Sequence, residues 1–393
     1  MNAINPFQFA PMPHIHFGWD IRHELLSSLT SRHLKKVVII TGKTLSQPNQ
    51  FGHELSQTLA KQSLVKSFVV SGEPSPDLVD DIVTSCPVDT DIVIGLGGGS
   101  VLDTAKAVAG LIPSQTSVMD YLEGVGLGKP FHVETTPFIA VPTTAGTGSE
   151  TTKNSVLSRI GAFKKSFRDD KLLAKEAWLD PALLTSCPKE VLYATGMDAF
   201  TQLLESYTTL KPNPITDALA WQGMALFKDA FEAIDSQCES QQQTGYGNLM
   251  LAATLSGTTL ANAGLGAVHG LAGPIGAFFE APHGIVCARL LAPITKRNID
   301  ALQSLDTEHA HLTIQKYEKV AKLMGVQKNA TLSGFIDFLQ TLSQKYAPQG
   351  LVKYGLNSHN IAPVIANCRS GSMLGNSVTL TDVQLREALL EAL

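Results

Sequence analysis

The sequence is poor in charged residues, has no excess of basic ones and contains no long apolar run. Charged residues make up 17% of the 393 residues and the formal net charge is -5, so the chain lacks the positive field that attracts a phosphate backbone. No segment comes near the roughly 18 uninterrupted apolar residues of a membrane-spanning helix. Neither a nucleic-acid partner nor a membrane segment is therefore expected.

Cysteine is scarce, and no two cysteines form a CxxC pair. An odd number of widely spaced cysteines is typical of a reducing compartment rather than of a disulfide framework, so we expect free thiols. Residues 1–20 lack both a basic start and a continuous apolar stretch, so no signal peptide is expected and the predicted location is the cytoplasm. The five cysteines are Cys86, Cys187, Cys238, Cys287 and Cys368.

Apolar residues make up 44% of the chain, which is ordinary for a globular protein, and the length is sufficient for two domains. Short β-rich runs at 37–40, 91–94 and 138–141 alternate with segments of helical period, which predicts βαβ units and a mostly parallel sheet. Beyond Pro181 only helical segments follow. The sequence thus predicts an α/β domain over residues 1–181 and an all-helical domain over residues 182–393.

A glycine run follows the strand at 91–94 and precedes a helical segment. Gly97, Gly98 and Gly99 leave their backbone N–H groups uncovered, and the positive end of the helix points the same way, which suits an anion such as a dinucleotide phosphate. Ser100 can cap that helix and donate a further hydrogen bond. The pattern is not GxGxxG and does not follow the first strand, so a tight structural turn is the alternative.

A second loop rich in hydroxyls and glycines, residues 142–150, directly follows the strand at 138–141. Its four hydroxyl groups and two glycines in one turn make this loop a second candidate for phosphate binding. The alternative is an ordinary loop in which a Ser or Thr caps a helix. Because both loops follow strands of one predicted sheet, each supports a binding role for the other.

Four polar residues in the helical half are candidate metal ligands. Asp198 and Gln202 lie four residues apart and hence on one helix face, while His269 and His283 each stand among small residues. A carboxylate with two imidazoles is a common ligand set for Zn²⁺ or Fe²⁺, and such a cation would polarise an alcohol and stabilise its alkoxide. The alternatives are histidines of the core or of turns, and an aspartate that serves a helix terminus.

Together these motifs make the chain resemble the iron-containing, group III alcohol dehydrogenase family over nearly its whole length. The resemblance implies a dinucleotide-binding α/β domain, a helical second domain as in dehydroquinate synthase-like architectures, and a cleft between them for cofactor, metal and substrate. The matching segments are 97–100 with Asp103, 142–150, 196–199, 269–270 and 282–284.

The resemblance implies Asp198, His269 and His283 as the metal-binding and catalytic set. Gln202 stands where many members have a fourth ligand histidine, and an amide oxygen binds a borderline metal less well than imidazole does. Gly273 stands where many members have a histidine near the substrate, which removes one candidate for proton relay. A divalent cation, Fe²⁺ or Zn²⁺, is the metal that the resemblance implies.

The resemblance also implies contacts to a nicotinamide dinucleotide. Members that prefer NAD often have a carboxylate where this chain has Gly42, so its absence, with Lys43 adjacent, slightly favours NADP. The expected substrate cleft includes Asn154, Leu260 and Arg369. The expected cofactor contacts are Thr41, Gly42, Thr44, Gly97, Gly98, Gly99, Ser100, Asp103, Thr143, Thr144, Thr147, Lys165 and Leu179.

The leading hypothesis is therefore an NAD(P)-dependent oxidoreductase that interconverts a small alcohol and its aldehyde or ketone by metal-assisted hydride transfer. A second hypothesis is reduction of an unsaturated oxo acid, as in maleylacetate reductases, with Arg369 as the carboxylate anchor. A third is a non-catalytic dinucleotide-binding protein. The resemblance also implies a homodimer. Residues 16–19 of the N-terminal strand are candidates for the contact between its two chains.

Overall fold

The computed structural model describes residues 6–326 and 331–393. Residues 1–5 of the first predicted domain and 327–330 of the second lie outside this range. The chain divides into two compact units: one is Ala10–Cys187, and the other is Pro188–Leu393 together with residues 6–9. The division falls shortly after Pro181, where the sequence predicts the domain boundary. None of the described helices is long and apolar enough to span a membrane.

The first unit is built on a six-stranded parallel sheet with the order β1-β8-β5-β4-β2-β3. The remaining two strands, β6 and β7, pair as a separate antiparallel hairpin. The strands are β1 His14–Phe17, β2 Lys36–Gly42, β3 Leu64–Val70, β4 Ile92–Gly97, β5 Phe138–Pro142, β6 Asn154–Arg159, β7 Phe163–Arg168 and β8 Glu176–Leu179. The α-helices of this unit are α1 Arg22–Ser31, α2 Phe51–Leu59, α3 Pro76–Ser85 and α4 Gly99–Leu111.

Both faces of the sheet are covered, which explains why its strands are continuous apolar runs. Val37 and Ile39 of β2 belong to one apolar cluster, whereas Val38 and Ile40 belong to another. Since alternate side chains of a strand point to opposite faces, each face of β2 is buried against its own layer. The predicted α/β class of this unit is therefore confirmed.

The second unit is helical throughout its described residues and has no strand there. Helix α5 packs against α6, α8 and α10, and α9 packs against α10. Short polar residues start several helices; Asn213, for example, accepts a hydrogen bond from Thr216 N at 3.0 Å just before α6. The helices are α5 Lys189–Tyr207, α6 Pro214–Phe227, α7 Ala230–Ile234, α8 Glu239–Ala263, α9 Ala267–Phe278, α10 His283–Gln303, α11 Glu308–Leu323, α12 Thr331–Tyr346, α13 Ala362–Asn367 and α14 Asp382–Ala392.

Candidate functional site

Four side chains of the second unit converge on one largely buried point. Asp198, His269, His283 and Cys287 each offer one ligand atom, and these atoms all lie within 4.8 Å of one another. His269 Nε2 lies 3.0 Å from Asp198 Oδ1, and His283 Nε2 lies 3.7 Å from the same oxygen. Cys287 Sγ is 3.7 Å from both Nε2 atoms. A carboxylate, two imidazoles and a thiol thus surround a common centre.

Helix packing explains how these side chains meet. Asp198 lies in the middle of α5, not at a helix terminus, and is 1% exposed. His283 is the first residue of α10, which packs on α5. A Cβ atom at Gly284 would collide with the carbonyl oxygen of Ala194 in α5, so a larger residue would force the helices apart. The glycine after His283 therefore sets the distance between His283 and Asp198.

A second carboxylate, that of Glu205, orients His269. Glu205 Oε2 accepts a hydrogen bond from His269 Nδ1 at 2.7 Å, and its Oε1 accepts one from Val268 N at 2.7 Å, at the start of α9. Glu205 follows Asp198 by seven residues on α5, which places both carboxylates on one side of that helix. Because Nδ1 donates to Glu205, Nε2 is the ring atom available to a cation.

The charges of this cluster depend on burial and on neighbouring groups. Burial raises the pKa of Asp198, but nearby His283 and the hydrogen bond from His269 outweigh it and hold this pKa well below its usual value. Burial lowers the pKa of His269, yet Cys287 and Asp198 raise it well above the usual value. Burial raises the pKa of the Cys287 thiol to about 12. The buried cluster favours a positive charge next to its carboxylates, and Zn²⁺ or Fe²⁺ would supply such a charge.

In the first unit, the two predicted nucleotide loops lie side by side. Strands β4 and β5 pair in parallel with Gly97 opposite Pro142, and Thr143 N donates to Gly97 O at 3.0 Å. Strand β3 lies on one side of β2, and the next strand along the chain, β4, lies on the other side. The direction in which strands are added to the sheet therefore reverses between β2 and β4. Ligands of open α/β sheets bind beyond the carboxyl ends of strands at such a reversal.

The glycines of the first loop pack directly on the threonines of the second. A Cβ atom at Gly98 would lie 3.1 Å from Thr144 Cγ2, and one at Gly99 would lie 2.7 Å from Thr147 Cγ2. Helix α4 begins at Gly99, and its N-cap is Gly98, which makes no side-chain capping bond. The prediction that Ser100 caps this helix is therefore wrong, because the helix has already begun one residue earlier.

Asp103 and Lys106 of α4 form a buried network beneath these loops. Asp103 accepts hydrogen bonds from the Ser149 hydroxyl at 2.5 Å and from Val156 N at 3.0 Å. The Lys106 ammonium donates to Ser149 O at 2.8 Å and to Asn154 O at 2.7 Å. Burial lowers the pKa of Lys106 to about 8, against the opposite effect of Asp103. The network ties α4 to the hydroxyl-rich loop.

Comparison with known proteins identifies the family. Residues 12–181 match the family described as iron-containing alcohol dehydrogenase, and residues 192–391 match the C-terminal domain of the same family. The chain belongs to the iron-containing alcohol dehydrogenase family. It is therefore an oxidoreductase that interconverts an alcohol and its aldehyde or ketone with a nicotinamide cofactor.

Individual relatives agree with this assignment. Long-chain-alcohol dehydrogenase 1 of Geobacillus thermodenitrificans is 31% identical over 357 residues, which cover 83% of this chain and 85% of that protein. Lactaldehyde reductase of Escherichia coli is 28% identical over 316 residues, covering 79% and 78%. The solved alcohol dehydrogenase from Oenococcus oeni superposes with a TM-score of 0.86 at 26% identity, covering 99% of this chain and 100% of that one. The predicted fold is thus confirmed.

The structure shows the surroundings of Gln202 and Gly273, the two positions at which the resemblance implies a departure from the family's pattern. Gln202 is buried one turn after Asp198, and its Oε1 accepts a hydrogen bond from the Ser256 hydroxyl at 2.9 Å. Gly273 lies one turn after His269 on α9, and a Cβ atom there would have nothing within 4 Å. Gln202 is thus engaged by a neighbouring helix, while the space beside Gly273 is open.

The remaining predicted cofactor residues lie in different strands of the first unit. Thr41 and Gly42 end β2, and Thr44 is exposed just beyond it. Lys165 lies in the middle of β7. Leu179 ends β8, its side chain is fully buried, and its carbonyl oxygen accepts a hydrogen bond from Gly18 N at 3.2 Å.

The predicted substrate residues divide between the two units. Asn154 begins β6, and its Oδ1 is buried with no hydrogen-bond partner among the residues that the structure describes. Leu260 lies near the end of α8 and is partly buried. Arg369 is exposed; it donates to Leu380 O at 2.7 Å and pairs with Asp382. These contacts engage its guanidinium, so they do not favour the carboxylate anchor that oxo-acid reduction would require.

Sequence reasoning missed three residues of these sites. Glu205 stands at the i+7 position from Asp198, a spacing that could have placed it on the same face of α5. Cys287 stands four residues after His283, which puts both on one face of α10. Lys106 gave no signal, because a lysine in a helical segment is ordinarily solvated.

Proposed function

We propose that the chain is an NAD(P)-dependent dehydrogenase of small alcohols whose divalent metal, Fe²⁺ or Zn²⁺, is held by Asp198, His269 and His283. The observation that carries this proposal is the largely buried cluster in which the ligand atoms of these three residues lie around one centre. Glu205 orients the imidazole of His269 by accepting a hydrogen bond from its Nδ1 atom. A carboxylate with two imidazoles is a donor set of catalytic Zn²⁺ and Fe²⁺ sites. When bound, such a cation supplies positive charge that polarises the alcohol or carbonyl oxygen of the substrate.

The side chains of the cluster have distinct tasks. Asp198 contributes the negative charge that balances part of the cation's charge in a buried place. His269 and His283 bind through neutral Nε2 atoms, and Glu205 fixes the ring of His269. Because Gly273 offers no proton acceptor, water or a ribose hydroxyl of a bound cofactor would have to take the proton of the alcohol.

The dinucleotide binds to the first unit in this proposal. The N–H groups of the loop with Gly97, Gly98 and Gly99, at the start of α4, hold the pyrophosphate. Support comes from the position of this loop at the reversal of strand order and from its packing against the threonine loop. The other proposed contacts are Thr41, Gly42, Thr44, Ser100, Asp103, Thr143, Thr144, Thr147, Lys165 and Leu179.

NADP is the preferred cofactor in this proposal. Gly42 ends β2 and provides no carboxylate that would repel a 2′-phosphate, while the adjacent Lys43 is exposed and positively charged. On the substrate side, the buried Asn154 Oδ1 supports a contact with a hydrogen-bond donor of the ligand. Leu260 is the proposed apolar contact to the substrate.

Replacing Asp198 tests the metal site without changing its volume. Asp198→Asn should abolish metal retention and lower aldehyde reduction with NADPH by at least about 100-fold, because positive charge at the reacting oxygen provides several kcal/mol. Nucleotide binding, measured by fluorescence titration, should stay unchanged. The exposed Asp300→Asn, on α10, is the matched control. Full metal content and full activity in Asp198→Asn would contradict the proposal.

We also propose a cytoplasmic homodimer. None of the five cysteines, all of which lie among the described residues, forms a disulfide, which supports a reducing compartment. Strand β1 is an edge strand of the sheet, and the nearby Phe17 and Trp19 are 43% and 39% exposed, which supports pairing of two chains at this edge. Light scattering during size-exclusion chromatography should give twice the 42.0 kDa of the chain.

A further inference from the structure

Cys287 occupies the fourth side of the metal cluster. It lies one turn after His283 on α10, and its Sγ atom is 3.7 Å from the Nε2 atoms of His269 and His283. Its side chain also hydrogen-bonds with Asp198. Cys287 is fully buried, so its thiol faces the other three ligand atoms rather than solvent. No other thiol of the described residues belongs to this cluster.

These distances are those of ligands that share one tetrahedral ion. With metal–sulfur bonds of about 2.3 Å and metal–nitrogen bonds of about 2.0–2.1 Å, sulfur and nitrogen atoms at a tetrahedral angle lie about 3.6 Å apart. The two observed Sγ to Nε2 distances are both 3.7 Å. The thiol is therefore already placed where a fourth protein ligand of such an ion would be, and the substrate oxygen would bind as an additional, fifth ligand.

Gln202 is the competing candidate for the fourth position. Its amide oxygen already accepts a hydrogen bond from Ser256 at 2.9 Å, and an amide is neutral. A thiolate carries a full negative charge, so Asp198 and Cys287 together would balance the charge of a divalent ion in this buried place. The charge balance therefore favours sulfur.

We propose that Cys287 is a protein ligand of the metal, bound as thiolate, and that it makes the site selective for Zn²⁺ over hard cations such as Mn²⁺. The proposal rests on the metal-binding part of the proposed function. On binding, the S–H bond breaks, a metal–sulfur bond forms, and the thiol proton passes to solvent. Sulfur ligands select soft and borderline ions, which gives Zn²⁺ the advantage.

Substitution of the site with Co²⁺ tests the metal–sulfur bond directly. Chelator-treated protein is loaded with one equivalent of Co²⁺, and the absorption spectrum is recorded. A Co²⁺–thiolate bond gives an intense charge-transfer band in the near ultraviolet, which oxygen and imidazole ligands do not give. The wild type should show this band, and Cys287→Ser should lose it. Gln202→Ala and Cys368→Ser, the latter another buried thiol of the same unit, should keep it.

Metal selectivity provides a second readout that a structural role of Cys287 would not change. Cys287→Ser should weaken Zn²⁺ binding at least about tenfold and Mn²⁺ binding much less, as measured by competition with a chromogenic chelator. Equal losses for both ions, or retention of the band in Cys287→Ser, would overturn the proposal. Co²⁺ uptake by the wild type without the band would overturn it as well, and this result needs no variant to fold. If the wild type takes up no divalent ion, both the proposed ligand role of Cys287 and the metal-assisted function are contradicted.

Discussion

Among single residues, Glu205 is the one on which the orientation of His269 depends. We expect Glu205→Ala to lower Zn²⁺ affinity about 10- to 100-fold, because the imidazole loses the acceptor that fixes its ring. Glu205→Gln should lose less Zn²⁺ affinity, since its amide oxygen can still accept a hydrogen bond from His269 Nδ1. Competition with a chelator gives the affinities. Glu232→Gln, at an exposed glutamate of α7, is the control, and an unchanged affinity in Glu205→Ala would contradict this role.

We also expect cofactor preference to depend on one residue, Gly42. Its Cβ would have only an ordinary contact of 3.9 Å with Val101, so a small side chain fits there. Gly42→Asp should raise the KM for NADPH about tenfold or more relative to NADH, because a carboxylate repels the 2′-phosphate. Gly42→Asn has the same size without the charge and should leave the ratio of the two KM values nearly unchanged. Equal ratios in both variants would argue against this position.

At the scale of elements, the turn between β4 and α4 should bind the pyrophosphate. Gly98→Val places a branched side chain at a point where a bare Cβ already lies 3.1 Å from Thr144. We expect nucleotide affinity to fall roughly 100-fold or more, about 2.7 kcal/mol, while metal content stays unchanged. Fluorescence titration and metal analysis of the same sample measure both. Unaltered nucleotide binding would leave the turn with a structural role only.

The approach of α10 to α5 should be equally sensitive to added volume. Gly284→Ala brings a methyl group onto the Ala194 carbonyl oxygen, so we expect a loss of about 2 kcal/mol in unfolding free energy and weaker metal binding. Gly18→Ala meets no atom closer than 3.7 Å and serves as the control in denaturant titrations. If both variants are equally stable and bind metal equally well, the helix contact does not position His283.

The elements themselves were predictable to different degrees. Strands β2, β4 and β5 are continuous apolar runs because both of their faces are buried, so the sequence reveals them. The hairpin of β6 and β7 was missed, because β7 carries charges such as Lys164 and Arg168 and only Phe167 of this strand is buried. The start of α4 was missed by two residues, because the N-cap is Gly98 rather than Ser100 and glycine permits a helix to begin without a capping side chain.

At the scale of the whole molecule, the sequence predicts one α/β part and one helical part, and the structure has both. The glycine and histidine motifs predicted the two candidate sites. Glu205 and Cys287 required the structure, since their partners are brought close only by packing of α5, α9 and α10. In a single sequence, helical spacing can indicate which residues share a face of one helix, but it does not indicate which residues of another helix they contact.

We propose that a metal held by Asp198, His269 and His283 assists hydride transfer between a small alcohol and NAD(P). The most direct measurement is NADPH oxidation with a panel of small aldehydes by one preparation, first as purified, then after chelation, and finally after Fe²⁺ or Zn²⁺ is restored. We expect turnover of at least one aldehyde, loss of this turnover on chelation and its recovery with one equivalent of metal. Undiminished turnover in metal-free protein, or no turnover with the metal in place, would contradict it.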